Sequence, residues 1–270
     1  MLLAQEPWSG EFHELRDLNV SVALSGDLDA THLSGDNAGV LPTDTQKNTV
    51  YAFAKEHGVD QPEDVGLRLA RHFVATQPTV HSARVHIEQY GWRRLGPHSF
   101  QRDGAETRTA TVTVDGAGEW VVAGLADLVL LNSTDSEFWG YVKDGYTTLP
   151  ETKDRVLATA VSARWRLASP EADWAASYEG VRAALVAAFV DTYSFSLQQT
   201  LYAMGRRVLE ERPEVVEVRL ALPNKHHLLV DLAPFGLDNP NEVFVAADRP
   251  YGLIEGTVLR SDAPSYDGAF

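Results

Sequence analysis

Cysteine is absent from this 270-residue chain. That removes disulfides, iron–sulfur clusters and thiolate zinc sites together, and leaves no thiol to report on the redox compartment. Long apolar runs are missing as well. The opening Met1-Leu2-Leu3-Ala4 meets Gln5, Glu6 and Pro7 at once, so no signal-peptide core is read there, and no later run reaches the length of a membrane span. Positive charge is scarce: 23 Lys and Arg stand against 38 Asp and Glu, a formal charge of -15. Such a balance disfavours phosphate backbones and anionic membranes as partners, so no nucleic-acid or membrane partner is expected. What is present, 44% hydrophobic residues over 270 positions, is enough to bury a full core in one large domain or two small ones. Among the histidines, His81, His86 and His98 lack zinc-ligand spacing, and no metal site is read.

The chain alternates between two periodicities. Arg16 to Leu24 and Ala83 to Gln89 alternate apolar and polar residues, as half-buried strands do. Between them Asp44 to His57 carries Val50, Phe53 and Ala54 at helical spacing, and Pro62 to Thr76 carries Val65, Leu69 and Phe73. Thr43 with Gln46 three residues later reads as a capping box at the first of these helices. The second half repeats the plan: strands over Trp120 to Leu131 and Val156 to Leu167, helices over Trp174 to Val190 and Ser196 to Glu210, then strands over Val215 to Leu222 and His227 to Leu232. The stripes Trp174, Tyr178, Val181, Leu185, Phe189 and Leu197, Leu201, Met204, Val208 read as core. A strand-strand-helix-helix-strand-strand unit thus occurs twice, which predicts an α+β fold with antiparallel sheets and helices on one face. The units are assigned to residues 1–116 and 117–270.

Polar clusters interrupt this pattern at a few places. Thr43 and Asp44 stand at a helix start, where free N–H groups and the positive end of the dipole can hold an anion or simply be capped. Phe138, in Glu137-Phe138-Trp139-Gly140-Tyr141, reads by itself as core packing, since aromatic density of that kind is normally structural. Arg155 offers a rigid fork for a planar anion or a surface salt bridge, and Gln198 offers one donor and one acceptor to an opposite edge or to a cap. In Pro223-Asn224-Lys225-His226, alternation puts Asn224 and His226 on one face and Lys225 on the other; a turn is the competing reading.

Thr43-Asp44-Thr45-Gln46-Lys47-Asn48-Thr49, Asn132 to Tyr141 with Arg155, and Leu222-Pro223-Asn224-Lys225-His226 resemble, in order and wording, the urate oxidase (uricase) family. The resemblance runs from about His13 onward. It implies tandem tunnelling-fold (T-fold) units, a barrel closed by subunit association, and a homotetramer with inter-subunit sites. It also implies oxidation of urate by dioxygen and water to 5-hydroxyisourate and hydrogen peroxide, within purine degradation, without metal or organic cofactor. By the same resemblance Arg155 and Gln198 grip urate, the Leu197 backbone N–H adds a contact and Phe138 stacks on the purine. Thr43 and Asp44 reach in from a neighbouring subunit, Asn224 holds water or an oxygen species above the ring, and His226 relays protons.

Two departures accompany it. Asn132 stands where the family usually has Lys, and nothing in Met1 to Trp8 matches the family's opening Tyr-Gly-Lys; the first lysine is Lys47. A truncated start, a substitute base relayed through Thr43 and His226, and a homologue that binds without turnover are the three readings of that gap. The segment Tyr266 to Phe270 does not form the Ser-Lys-Leu peroxisomal address, and a bacterial, cytoplasmic setting is expected.

Overall fold

The computed structural model describes residues 2–5, 12–247, 249–263 and 270. The expectations placed on Met1 to Trp8 and on Tyr266 to Phe270 therefore fall largely outside the described residues. In chain order the elements are β1 (Leu2–Gln5), β2 (Leu15–Gly26), α1 (Asp29–Leu33), α2 (Thr43–His57), α3 (Pro62–Thr76), β3 (Val80–Arg94), β4 (Phe100–Asp115) and β5 (Gly118–Asn132). They continue as β6 (Leu157–Leu167), α4 (Trp174–Asp191), α5 (Leu197–Glu211), β7 (Val215–Pro223), β8 (His226–Leu229), β9 (Phe244–Ala247) and β10 (Leu253–Leu259). Among these residues no helix is long and apolar enough to cross a membrane.

One antiparallel eight-stranded sheet carries the fold, in the order β1-β2-β3-β4-β5-β6-β7-β10. The α+β class with helices on one face is the architecture the periodicity predicted. The last strand differs from expectation. His226–Leu229 does not extend the main sheet but forms a separate two-stranded ribbon with β9, and β10 takes the place beside β7. Chain geometry gives the reason: after Pro223 the backbone touches β6 only through an isolated bridge between Thr159 and Asn224, and the chain then leaves the sheet. The short strand Leu2–Gln5 pairs antiparallel with β2, Leu2 opposite Leu18 and Gln5 opposite Leu15.

Helix α3 begins with Pro62, whose fixed φ suits the first turn, followed by Glu63 and Asp64 at the positive end of the dipole. Its stripe of Val65, Leu69 and Phe73 is buried. Gly66 lets it sit close to the sheet, since a Cβ there would lie 2.7 Å from Val112 Cγ2. In the second half Gly205 does the same for α5, where a Cβ would meet Val258 Cγ2 at 2.7 Å. The stripes of α4 and α5 are buried as the spacing predicted, joining Trp165 and Leu157 in a single core. Helix α2 is different: Val50 is its one buried residue, so it lies at the periphery of the layer.

Phe73 is fully buried in that core. Phe73→Ala should destabilise the protein by roughly 3–5 kcal/mol, as expected when a large aromatic leaves a cavity; chemical denaturation followed by far-ultraviolet circular dichroism measures it, and a change below about 1 kcal/mol would contradict this packing.

Candidate active site

Between β5 and β6 the chain makes an excursion over residues 133–156, and its backbone is fixed at several points. Phe138 N–H donates to Thr152 O at 2.8 Å and Thr152 N–H returns to Phe138 O at 3.0 Å. Arg155 N–H donates to Ser136 O at 3.0 Å, and Glu137 N–H donates to Ser194 O at 2.7 Å. Asp135 adopts φ 58°, a left-handed turn that Asp tolerates better than most residues. These ties hold the Phe138 and Arg155 segments against the start of α5.

Arg155 is half-buried. Its Nε donates to Ser136 Oγ at 3.0 Å, and its guanidinium carbon lies 5.3 Å from the Phe138 ring centroid. Burial holds its pKa below the usual arginine range, and no carboxylate among the described residues pairs with it. The neighbouring Asp154 makes no ion pair with it; its two oxygens accept from Thr134 Oγ1 at 2.8 Å and Asn241 Nδ2 at 3.3 Å. A partly desolvated cation without a counter-charge is costly unless an anion arrives to pair with it. The bland reading of Arg155 as a surface salt bridge therefore fails.

A cavity of about 520 Å³ opens beside this arginine, and Phe138, Arg155, Leu197, Gln198, Asn224 and His226 all line it. Six residues from four separated stretches of the chain thus share one wall system, at the place where β6 begins, β7 ends, and α5 and β10 start. Tyr141 stacks on the Phe138 ring at 4.9 Å. The side chains of Gln198, Asn224 and His226 make no hydrogen bond among the described residues, leaving their polar atoms uncommitted. Lys225 does not line the cavity, as alternation predicted for it, but His227 lines it beside His226. Strict alternation is lost because Asn224 and Lys225 lie between β7 and β8 rather than within a strand.

Thr43 and Asp44 lie elsewhere, in one chain. Thr43 borders a second cavity of about 350 Å³ with Val20, Val22, Gln46, Val50 and Tyr51. The capping box is not formed. Pro42 is the cap residue, its carbonyl accepts the first helical N–H from Gln46, and Gln46 Nε2 donates to Leu41 O instead of closing a box. Thr43 is already the first helical residue and its hydroxyl is free of partners among the described residues. Asp44 is exposed, with its pKa lowered by a hydrogen bond from Lys47 and by the charge of that lysine.

Sequence reasoning missed the residues beneath the site: Ser136, Ser194 and Thr200, fully buried, and Ile254 of β10 on the cavity wall. The serine-rich wording of 133–136 was visible; its burial was not. At the start of α5, Ser196 Oγ accepts from Gln199 N–H at 3.2 Å and Gln199 Oε1 accepts from Phe195 N–H at 2.8 Å. Ser196 and Gln199 thus serve as the cap, and Gln198 does not. Ser196→Ala should cost about 1 kcal/mol of stability, whereas Gln198→Ala should stay within about 0.5 kcal/mol; denaturant titration of both variants separates cap from site.

The chemistry assembled here is a π face, an unpaired guanidinium, two free amides and a free imidazole around one cavity, which fits a flat, anionic, hydrogen-bonding heterocycle. Comparison with known proteins agrees with that fit. The family profile described as Uricase matches residues 3–113 and 121–255. A uricase of Arthrobacter globiformis is 53% identical over 250 residues, covering 92% of this chain and 82% of the relative. One from Dictyostelium discoideum is 38% identical over 260 residues, covering 93% and 90%. The crystal structure of the Arthrobacter globiformis uricase superposes with a TM-score of 0.95 at 50% identity, over 99% of this chain and 93% of that one. With its T-fold sheet, its profile match and these relatives, the chain belongs to the uricase family.

Proposed function

We propose that this protein is a urate oxidase, an oxidoreductase that converts urate, dioxygen and water to 5-hydroxyisourate and hydrogen peroxide in purine degradation. The observation that carries the reading is the half-buried, unpaired Arg155 facing the same cavity as Gln198 and Phe138. Urate is a planar anion whose edges present carbonyl acceptors and ring N–H donors. A guanidinium fork suits one edge, an amide with one donor and one acceptor suits another, and a phenyl ring suits the flat face. The Leu197 N–H at the first turn of α5 precedes the first intrahelical bond and is available as a further donor.

In this reading Asn224 holds the reacting water or dioxygen above the ring, and His226 and Thr43 move protons, Thr43 also ordering the water. Two electrons leave urate for dioxygen, which departs as hydrogen peroxide, while water supplies the new hydroxyl at the purine ring.

Thr43 and Asp44 are assigned to the site of a neighbouring subunit, within a homotetramer of two T-fold units per chain, residues 1–116 and 117–270, in a cytoplasmic setting. Three features support the assembly. Among the described residues the sheet ends at β1 and β10 with no further strand paired to either, and monomers rarely leave such edges uncovered. Leu149, Leu228 and Leu229 at the cavity are about half exposed. Thr43, with its free hydroxyl, lies outside its own chain's cavity.

Simultaneous loss of urate ultraviolet absorbance and uptake of oxygen tests the activity; no turnover by the purified protein would overturn it. Arg155→Gln should raise KM for urate by roughly a hundredfold, the loss expected when a charged partner of a bound anion is removed. Mixing unfolded Thr43→Ala and Arg155→Gln chains and refolding them together should restore about a quarter of wild-type activity, because shared sites recombine intact halves. No recovery would place both residues in one chain's site.

A further inference from the structure

Beneath the cavity, Ser136, Ser194 and Thr200 have 0% exposure. Each joins one side of the site to the other. Ser136 Oγ accepts from Arg155 Nε at 3.0 Å, so one donor of the guanidinium is fixed in the protein interior and the terminal nitrogens are left for the cavity. Its own residue forms a parallel bridge with Ser194, flanked by Glu137 N–H to Ser194 O at 2.7 Å and Ser194 N–H to Asp135 O at 2.9 Å. Ser194 Oγ in turn accepts from Thr200 Oγ1 at 2.8 Å and donates to Ser196 O at 3.1 Å. Ser196 caps α5, and Gln198 stands in its first turn.

A continuous path thus runs from the Arg155 side chain through Ser136, across the bridge to Ser194, and through Thr200 and Ser196 to the backbone that carries Gln198. Buried hydroxyls are retained at a cost unless every partner is present, and loss of one leaves another unsatisfied in the interior. Packing alone could be served by Ala and Val at these positions. The hydroxyls add direction: they fix the rotation of the guanidinium plane and the placement of the first turn of α5 relative to it.

We infer that Ser136, Ser194 and Thr200 are positioning residues that set the gap and mutual orientation of Arg155 and Gln198 before substrate arrives. The inference rests on the reading that these two side chains grip urate. Preorganisation of this kind acts on binding, since a guanidinium free to rotate must be ordered by the ligand at the ligand's expense. Water-filled alternatives are unavailable to groups with no exposure, so the effect should follow the hydroxyl and not the volume of each side chain.

The test uses the whole 270-residue chain with substitutions at Ser136 and Thr200. Ser136→Ala and Thr200→Val should each raise KM for urate about tenfold with kcat within about twofold, the pattern of lost binding common to ground and transition states. Affinity for a non-oxidisable purine analogue of urate should weaken in parallel. Thr200→Ser, which keeps the hydroxyl and loses the methyl, should bind as wild type does. Because Ser136 acts through Arg155, Ser136→Ala should add nothing to the loss of analogue affinity already caused by Arg155→Gln. Wild-type KM in both Ser136→Ala and Thr200→Val, equal loss in Thr200→Ser and Thr200→Val, or additivity with Arg155→Gln would each overturn the inference. If Ser136→Ala fails to fold, the Thr200 pair decides alone. Unchanged analogue affinity in Arg155→Gln would instead overturn the underlying assignment of the urate grip.

Discussion

One antiparallel ladder places every other element of this protein. From β1 to β10 each strand of the main sheet pairs with its neighbour in the chain, and only the β8–β9 ribbon interrupts that order. The helix pairs α2–α3 and α4–α5 each connect two strands of this sheet, and the core forms between the sheet and the stripes of α3, α4 and α5. Gly66 and Gly205 show how close that approach is: both helices touch the sheet where a side chain would collide with a valine. The same order leaves β1 and β10 as outer strands, each with backbone groups turned to the outside.

Function gathers where the ladder stops. The cavity lies at the start of β6, the end of β7, the first turn of α5 and the start of β10, so it collects side chains from segments that share no local pattern. Departure of β8 from the sheet opens the space, and the excursion over residues 133–156 walls it with Phe138 and Arg155. The electrostatics follow from hydrogen bonding rather than from charge count. Asp154 adjoins Arg155 in sequence, yet Thr134 and Asn241 engage its carboxylate, so a chain with a net charge of -15 keeps an unpaired cation at its site. An unpaired cation there favours an anion locally, while at physiological salt the repulsion from the net negative charge decays over about 8 Å.

Helix α2 carries a further consequence of loose packing. With only Val50 buried, it presents Thr43 and Asp44 at the surface beside an apolar hollow formed with Val20 and Val22. A cap residue consumed by its own helix would be poor at meeting a ligand. Pro42 takes the cap position instead and leaves the Thr43 hydroxyl without a partner among the described residues.

Much of this was legible in the amino-acid order. Periodicity of 3.6 and of 2 determined the helices α2 to α5, most strands of the ladder and the buried stripes, because local pattern reports which face of an element is apolar. Threonine-rich β4 was less visible, since its polar first half masks the alternation that its buried second half obeys. Residue type left Arg155, Gln198, Phe138, Asn224 and His226 each with an ordinary structural alternative, and the family resemblance nominated them for the site. Only tertiary structure decided among those alternatives. It gave the cap of α5 to Ser196, denied Arg155 a carboxylate, freed Thr43, and moved the last strand of the sheet from His227 to Leu253. The division has a physical cause: a side chain's periodicity is fixed by its near neighbours in the chain, whereas burial, hydrogen-bond partners and uncompensated charge depend on segments a hundred residues away.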